Sequence, residues 1–189
     1  MRIIAGQFGG RKIKTPDTKL IRPTTEKVRG GIFSSLQSKL DFAEYLAIDC
    51  YAGSGAMGFE ALSRGCLAAA FIELERTHVA VIRENVTSLA VSHQVQVLNA
   101  KVSAETLGRL RLERGLKCLF LIDPPYTAHP EGEIFSVLEA GGFWVEGTVI
   151  VLGFPHRISE RVVTSLQARQ CSEYYVKNYG DTDILLIYL

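Results

Sequence analysis

The sequence is short of cysteine and histidine, carries no long apolar run and has almost no net charge, and each shortage excludes a class of protein. Its four cysteines, Cys50, Cys66, Cys118 and Cys171, are widely spaced and form no Cys-x-x-Cys pair. Their neighbours are apolar, which reads as buried free thiols in a reducing compartment rather than a disulfide framework. His78, His93, His129 and His156 show no metal-ligand spacing, so no metal is expected. The apolar runs, such as Leu67 to Ile72 and Val149 to Leu152, fall far short of a bilayer span. The opening Met1-Arg2-Ile3-Ile4-Ala5-Gly6 lacks the apolar stretch of a secretory signal, which predicts a cytoplasmic protein without a membrane partner. Internal repeats, low-complexity tracts and long linkers are absent, and a monomer is expected.

What is present is enough for one globular unit: 189 residues, 47% hydrophobic, can bury a core without disulfides or metal. The net charge of +1 hides an uneven distribution. Residues 1–40 hold nine Lys or Arg against Asp17 and Glu26, a net of +7, and the rest of the chain is mildly acidic. A basic arm on an acidic body points to a polyanion partner. We therefore divide the chain into a basic arm, 1–40, and a catalytic domain, 41–189.

In the arm, Arg2 to Gln7 and Arg11 to Thr15 read as two short strands about a Gly9-Gly10 turn. Val28, Ile32, Leu36 and Leu40 then recur at helical spacing behind a threonine able to cap, with Gly30-Gly31 inside the helix. From Leu46 onward, strands and helices alternate. Strands are predicted at 46–51, 68–73, 94–99, 119–123 and 148–152. Helices are predicted at 57–64, from Thr77 through Leu89, at 104–114 and at 132–140. Such alternation predicts a parallel sheet with helices on both faces. Glu173 to Tyr179 and Asp183 to Leu189, about Gly180-Asp181, predict a closing hairpin that adds one antiparallel strand.

Two motifs carry chemistry. Asp49-Cys50-Tyr51-Ala52-Gly53-Ser54-Gly55-Ala56-Met57-Gly58 places Gly-x-Gly-x-x-Gly between a strand and a helix, where a ligand can approach the backbone. The glycines alone fit NAD, FAD and S-adenosylmethionine equally. Asp49 narrows the choice, because a carboxylate there suits a cationic ligand better than a pyrophosphate. Glu73, followed by Leu74 at the end of the second strand, is placed to accept ribose hydroxyls. Asn99-Ala100, ending the third strand, is placed to contact adenine, although an asparagine there also serves simply as a turn residue. The cofactor set is thus Asp49, Tyr51, Ala52, Gly53, Ser54, Gly55, Gly58, Glu73, Leu74, Asn99, Ala100 and Asp123.

The second motif is Asp123-Pro124-Pro125-Tyr126, directly after the strand Leu119-Phe120-Leu121-Ile122. An exocyclic base amine is a poor nucleophile because its lone pair is delocalised into the ring. Acceptors at the Asp123 carboxylate and a proline carbonyl can hold both N–H bonds and turn that lone pair toward a methyl donor. Tyr126 is placed to stack on the extruded base. Arg11, Lys12, Arg22, Thr24, Lys27 and Arg29 are the candidate nucleic-acid contacts; they position a strand without choosing its base.

Arg22-Pro23-Thr24-Thr25-Glu26-Lys27-Val28-Arg29, the Asp49–Gly58 loop with Glu60-Ala61-Leu62-Ser63-Arg64-Gly65, and Asp123-Pro124-Pro125-Tyr126 occur in one order and spacing. In this the chain resembles the bacterial 16S ribosomal RNA guanine-N2 methyltransferases, from its Ile3-Ile4-Ala5-Gly6 opening to Tyr179-Gly180-Asp181-Thr182. The glycine loop and Asp-Pro-Pro-Tyr are shared by many amine methyltransferases; the Arg-Pro-Thr segment and N-terminal hairpin single out this family. The resemblance implies a Rossmann-like, seven-stranded class I methyltransferase fold, S-adenosylmethionine as cofactor, and 16S ribosomal RNA of the small subunit or its assembly intermediate as substrate. Two departures stand out. Gly30-Gly31 replaces a usual acidic residue, and Gly153 stands where the fifth strand often ends in glutamate. On the residues alone, three alternatives stay open: a DNA adenine-N6 or cytosine-N4 methyltransferase, a nicotinamide oxidoreductase, and a non-catalytic RNA assembly factor.

Overall fold

The computed structural model describes residues 1–17, 25–111, 117–125 and 130–189. Seven strands run in the order β3-β2-β1-β4-β5-β7-β6. They are β1 (Tyr45–Cys50), β2 (Ala68–Glu73), β3 (Val95–Asn99), β4 (Lys117–Ile122), β5 (Val149–Pro155), β6 (Tyr174–Tyr179) and β7 (Thr182–Tyr188). β1 to β5 are mutually parallel, while β7 runs antiparallel to both β5 and β6. This is the sheet expected from the sequence, closed by its single reversed strand.

The alternating residues of the strands bury into two separate cores. On one face, α1 (Glu26–Gln37), α2 (Ala56–Ser63) and α3 (Arg76–Leu89) bring Ile32, Phe33, Phe59, Leu62, Ile82 and Val86 against Ala47, Phe71, Leu121 and Val151. On the other, α4 (Ala104–Leu107), α5 (Pro130–Ala140) and α6 (Ser159–Gln167) bring Leu107, Phe135, Leu138, Val162 and Leu166 against Ile48, Ile72, Phe120 and Leu152. Each Val, Leu, Ile or Phe among them, fully buried, contributes about 1.5–3 kcal/mol. With helices on both sides, a central strand such as β1 is buried at every residue, which explains its apolar run from Tyr45 to Ile48.

Strand order reverses between β1 and β4. The chain leaves β1 toward β2 and β3, then crosses back to β4 and β5. Ligands of open α/β sheets bind at the carboxyl ends of the strands flanking such a reversal. The glycine loop follows β1 and Asp123 follows β4, so the topology sets the two motifs side by side.

Three local expectations are corrected. The predicted N-terminal strands reduce to one antiparallel bridge, Arg2 with Lys12. The donors a ladder would need are spent on α2 instead: Ile4 and Ala5 N–H on the Glu60 carboxylate, Gln7 N–H on the Ser63 carbonyl, and Phe8 N–H on Ser63 Oγ. Of the predicted helix 104–114, residues 112–114 lie outside the described residues, and the described part is helical only to Leu107, because the Gln96 side chain of β3 takes the Arg109 carbonyl and the Arg111 N–H. α6 is additional; its two buried residues, Val162 and Leu166, are too sparse a stripe to read from sequence. The predicted α1 forms with Thr25 as its cap, Oγ accepting Val28 N–H at 3.3 Å. Gly31 in that helix is explained by packing, since a Cβ there would meet the Tyr179 hydroxyl.

Candidate active site

β1 delivers Asp49 into the interior, only 3% exposed, and its Oδ2 accepts the Gly58 N–H at 2.8 Å. Gly58 lies in the first turn of α2, so the carboxylate caps the helix and fixes the loop between. Asp49 therefore sits deeper than a residue lying directly against a ligand. Burial raises its pKa well above the ordinary carboxylate value, and the nearby Asp123 and Glu73 carboxylates push in the same direction. Three acids thus converge at one end of the sheet, a field that favours a cation.

The loop itself divides its labour. Gly55 and Gly58 are bare because the rings of Phe59 and Phe71 lie against them, whereas a Cβ at Gly53 would meet the Tyr51 carbonyl only at 4.0 Å. Tyr51 adopts a left-handed φ of 59°, which reverses the chain after β1 at a cost of about 1–2 kcal/mol. Ala52 is buried, its N–H on the Ile72 carbonyl and its own carbonyl accepting Gly55 N–H. The Ser54 carbonyl accepts from Asn85 Nδ2 at 3.2 Å.

Glu73 ends β2 with both oxygens engaged. Oε2 accepts Gly53 N–H at 2.7 Å and Oε1 accepts Glu75 N–H at 2.8 Å, with His78 Nδ1 at 3.7 Å. Leu74 beside it is a 60% exposed apolar side chain. Asn99 uses its Nδ2 on the carbonyls of Glu73 and Leu74, and Ala100 N–H also bonds the Glu73 carbonyl. Both residues hold the end of β2 in shape.

Asp123 leaves β4 half-buried, followed by buried Pro124 and exposed Pro125. A Cβ at Gly153 would lie 2.8 Å from Asp123 Oδ1. The bare glycine at the end of β5 therefore gives the carboxylate its room. Tyr126, Arg22 and Thr24 lie outside the described residues.

The basic residues separate. Lys12 and Lys27 are exposed. Arg11 is exposed too, with its guanidinium bonded to the Ser88 carbonyl and 5.7 Å above the Phe8 ring. Arg29 is a correction: it is 0% exposed, and its guanidinium lies on Glu60, the Arg2 carbonyl and Met1 Sδ. Buried there, it cannot reach a phosphate. Sequence reasoning also missed Asn85, which is 2% exposed. Its Oδ1 accepts Lys14 N–H, while Nδ2 donates to the carbonyls of Lys14 and Ser54, tying the arm to the glycine loop. The available signal was a polar residue on the stripe of α3 that also carries Ile82 and Leu89.

Cys50, Cys66 and Cys118 are buried, and burial pushes the Cys118 thiol up to about 11, far from a reactive thiolate. Among the described residues there is no cluster of three or more metal-binding side chains and no helix long and apolar enough to cross a membrane.

Comparison with known proteins agrees with this geometry. A family model described as Conserved hypothetical protein 95 matches residues 1–188. Ribosomal RNA small subunit methyltransferase D of Escherichia coli K12 is 35% identical over 151 residues, covering 79% of this chain and 72% of the relative. Its Haemophilus influenzae namesake is 34% identical over 139 residues, covering 73% and 70%. The solved structure of Escherichia coli yhhF superposes with a TM-score of 0.79 at 28% identity, covering 100% of this chain and 97% of that one. The N-terminal domain of human METTL16, solved in complex with SAH, shares the fold at 12% identity and a TM-score of 0.69, covering 95% of this chain and 75% of that one. The chain belongs to the family described as Conserved hypothetical protein 95, together with the ribosomal RNA small subunit methyltransferases D.

Proposed function

We propose that this chain transfers a methyl group from S-adenosylmethionine to the exocyclic N2 amine of a guanine in small-subunit ribosomal RNA. The observation that carries the reading is the Asp123 carboxylate, seated over Gly153 at the strand-order reversal and beside the glycine loop. The relatives named as small-subunit ribosomal RNA methyltransferases support the substrate class.

The residues present fit the cofactor. Three convergent carboxylates, one of them buried and disfavoured as an anion, suit a ligand bearing a sulfonium and an ammonium. Glu73 would take the ribose hydroxyls, exposed Leu74 would cover the adenine, and Gly53 would leave the backbone open to approach. When bound, S-adenosylmethionine supplies a methyl carbon activated by its positive sulfur. Asp49 keeps the loop in shape through Gly58. Asp123 accepts one amine N–H and the adjoining proline carbonyl the other, which directs the lone pair and excludes other approach angles. Asp123 also stands as the first acceptor for the proton the amine gives up. Lys12 and Lys27 face the phosphates, and Tyr126 stacks on the base.

The test is transfer of labelled methyl to small ribosomal subunits from cells lacking this protein, followed by nucleoside analysis. N2-methylguanosine at one site is the expected product. N6-methyladenosine would overturn the assigned base, and cofactor binding without transfer to subunits, free RNA or DNA would leave a non-catalytic assembly factor. In the same assay, Gly153→Ala is expected to lower kcat by about 10- to 100-fold with cofactor affinity unchanged, because displacing an orienting group by a fraction of an ångström is enough. An unchanged kcat would show that the carboxylate does not need that niche.

A further inference from the structure

β5 outruns β4. The last β4 residue, Ile122, pairs with Leu152, but Gly153, Phe154 and Pro155 continue beyond it and pair with Ile184, Asp183 and Thr182 of β7. At about 3.3 Å per residue, β5 and β7 rise roughly 7 Å above the level of Asp123 as a wall at its end of the sheet.

That wall carries a polar cluster the mechanism does not use. Asp183 is 1% exposed, on the β7 face that also bears Leu185 and Ile187. Its Oδ1 accepts Asn178 Nδ2 at 2.7 Å, and its two oxygens lie 3.0 and 3.1 Å from Nδ1 of His156. The His156 N–H donates to the Asp181 carbonyl at 2.8 Å, so both backbone and ring are fixed. A carboxylate only accepts, so Nδ1 carries the proton toward Asp183, and Asn178 Nδ2, 3.2 Å from the same ring nitrogen, donates to Asp183 Oδ1 at 2.7 Å instead. The side chain is 62% exposed, and Nε2 has no hydrogen-bond partner among the described residues. Burying a carboxylate costs several kcal/mol before its partners compensate, and an aliphatic residue would fill the position between Leu185 and Phe154 more cheaply. The arrangement is an oriented imidazole edge at the catalytic end of the sheet, set on the opposite face of the β5–β7 rim from the one where Asp123 meets Gly153.

We propose that His156, oriented by Asp183, contacts the sugar–phosphate backbone of the RNA strand next to the base presented to Asp123. This rests on the RNA methyltransferase reading above. Neutral, Nε2 accepts from a 2′-hydroxyl, the group that separates RNA from DNA; protonated, it donates to a phosphate. His156 is a positioning residue for substrate and touches neither the amine nor the methyl group.

The experiment is steady-state methyl transfer to unmodified small subunits by the unsubstituted protein, His156→Ala, His156→Gln and Asp183→Asn, over a range of salt, with cofactor affinity measured by calorimetry. His156→Ala is expected to raise KM for subunits about 5- to 10-fold, the worth of one hydrogen bond, with kcat within about twofold and cofactor affinity unchanged. Asp183→Asn shifts KM the same way by freeing the ring, and His156→Gln restores part of the loss. A fall of roughly one in the salt slope of log kcat/KM marks a phosphate as the contact; an unchanged slope marks the 2′-hydroxyl. An unchanged KM in His156→Ala, with the unsubstituted protein active, overturns this proposal and leaves the methyltransferase reading standing. No transfer by the unsubstituted protein overturns that reading itself.

Discussion

Asp123→Ala is expected to lower kcat for methyl transfer by about 10²- to 10³-fold, far more than it weakens cofactor binding. The expectation follows from where the carboxylate sits. It leaves β4 at the strand-order reversal, packs over the bare Cα of Gly153, and is close enough to Asp49 to raise that residue's pKa. Removing it takes away the acceptor that holds one amine N–H, so the amine rotates and its lone pair stays conjugated with the ring. The cofactor keeps Glu73 and the loop, neither of which depends on Asp123. Asp123→Asn is the informative companion. It keeps an acceptor oxygen of the same reach but loses the charge, so a milder fall would identify orientation as the main contribution. A fall equal to that of alanine would identify the charge. A kcat unchanged in both variants would remove Asp123 from the chemistry.

The sheet and the loop were legible because their signals are redundant. β2, Ala68–Glu73, was predicted at its observed boundaries because both faces are covered and every residue is apolar up to the acid at its end. The Gly-x-Gly-x-x-Gly pattern located the loop, although it did not show that Gly55 and Gly58 serve Phe59 and Phe71 rather than a ligand. What could not be read depends on partners distant in sequence. The arm shows alternation enough for two strands, but its donors go to Glu60 and Ser63, more than 50 residues away. α4 is ended by Gln96 from β3, a competition that helix spacing cannot reveal. The basic segment suggested that Arg29 meets phosphate, yet position on α1 decides its fate. Arg29 falls on the inward face with Ile32, Phe33 and Leu36, while Lys27 falls outside. Charge counting sees both as equal; helical phase does not. His156 and Asp183 likewise lie 27 residues apart and meet only because β7 folds back along β5.

Glu60→Ala is expected to destabilise the fold by about 3–5 kcal/mol, a large fraction of the stability of a single domain. Its side chain is fully buried, accepts from three donors and pairs with the Arg29 charge as a fourth contact. Oε2 accepts Ile4 N–H at 2.7 Å and faces Arg29 Nε at 3.6 Å; Oε1 accepts Ala5 N–H at 3.2 Å and Arg64 Nε at 2.8 Å. Truncation strands a guanidinium whose side chain is 1% exposed and whose remaining partners, the Arg2 carbonyl and Met1 Sδ, are neutral. Burial already lowers the pKa of Arg29, and Glu60 is the largest influence opposing that shift. For a chain of this size the loss corresponds to a fall in Tm of roughly 6–20 °C. Arg29→Met in the Glu60→Ala background should recover part of it, because the orphaned charge is then gone and an apolar side chain fills its place. The same cluster anchors residues 1–5 onto α2, so amide exchange there should accelerate in Glu60→Ala before the sheet opens. A loss below about 1 kcal/mol, or a double variant weaker than the single, would mean that Glu60 is not what holds Arg29 inside. The arm would then owe its place to Ile3, Ile13 and the Asn85 contacts, and the buried ion pair would be a consequence of its docking.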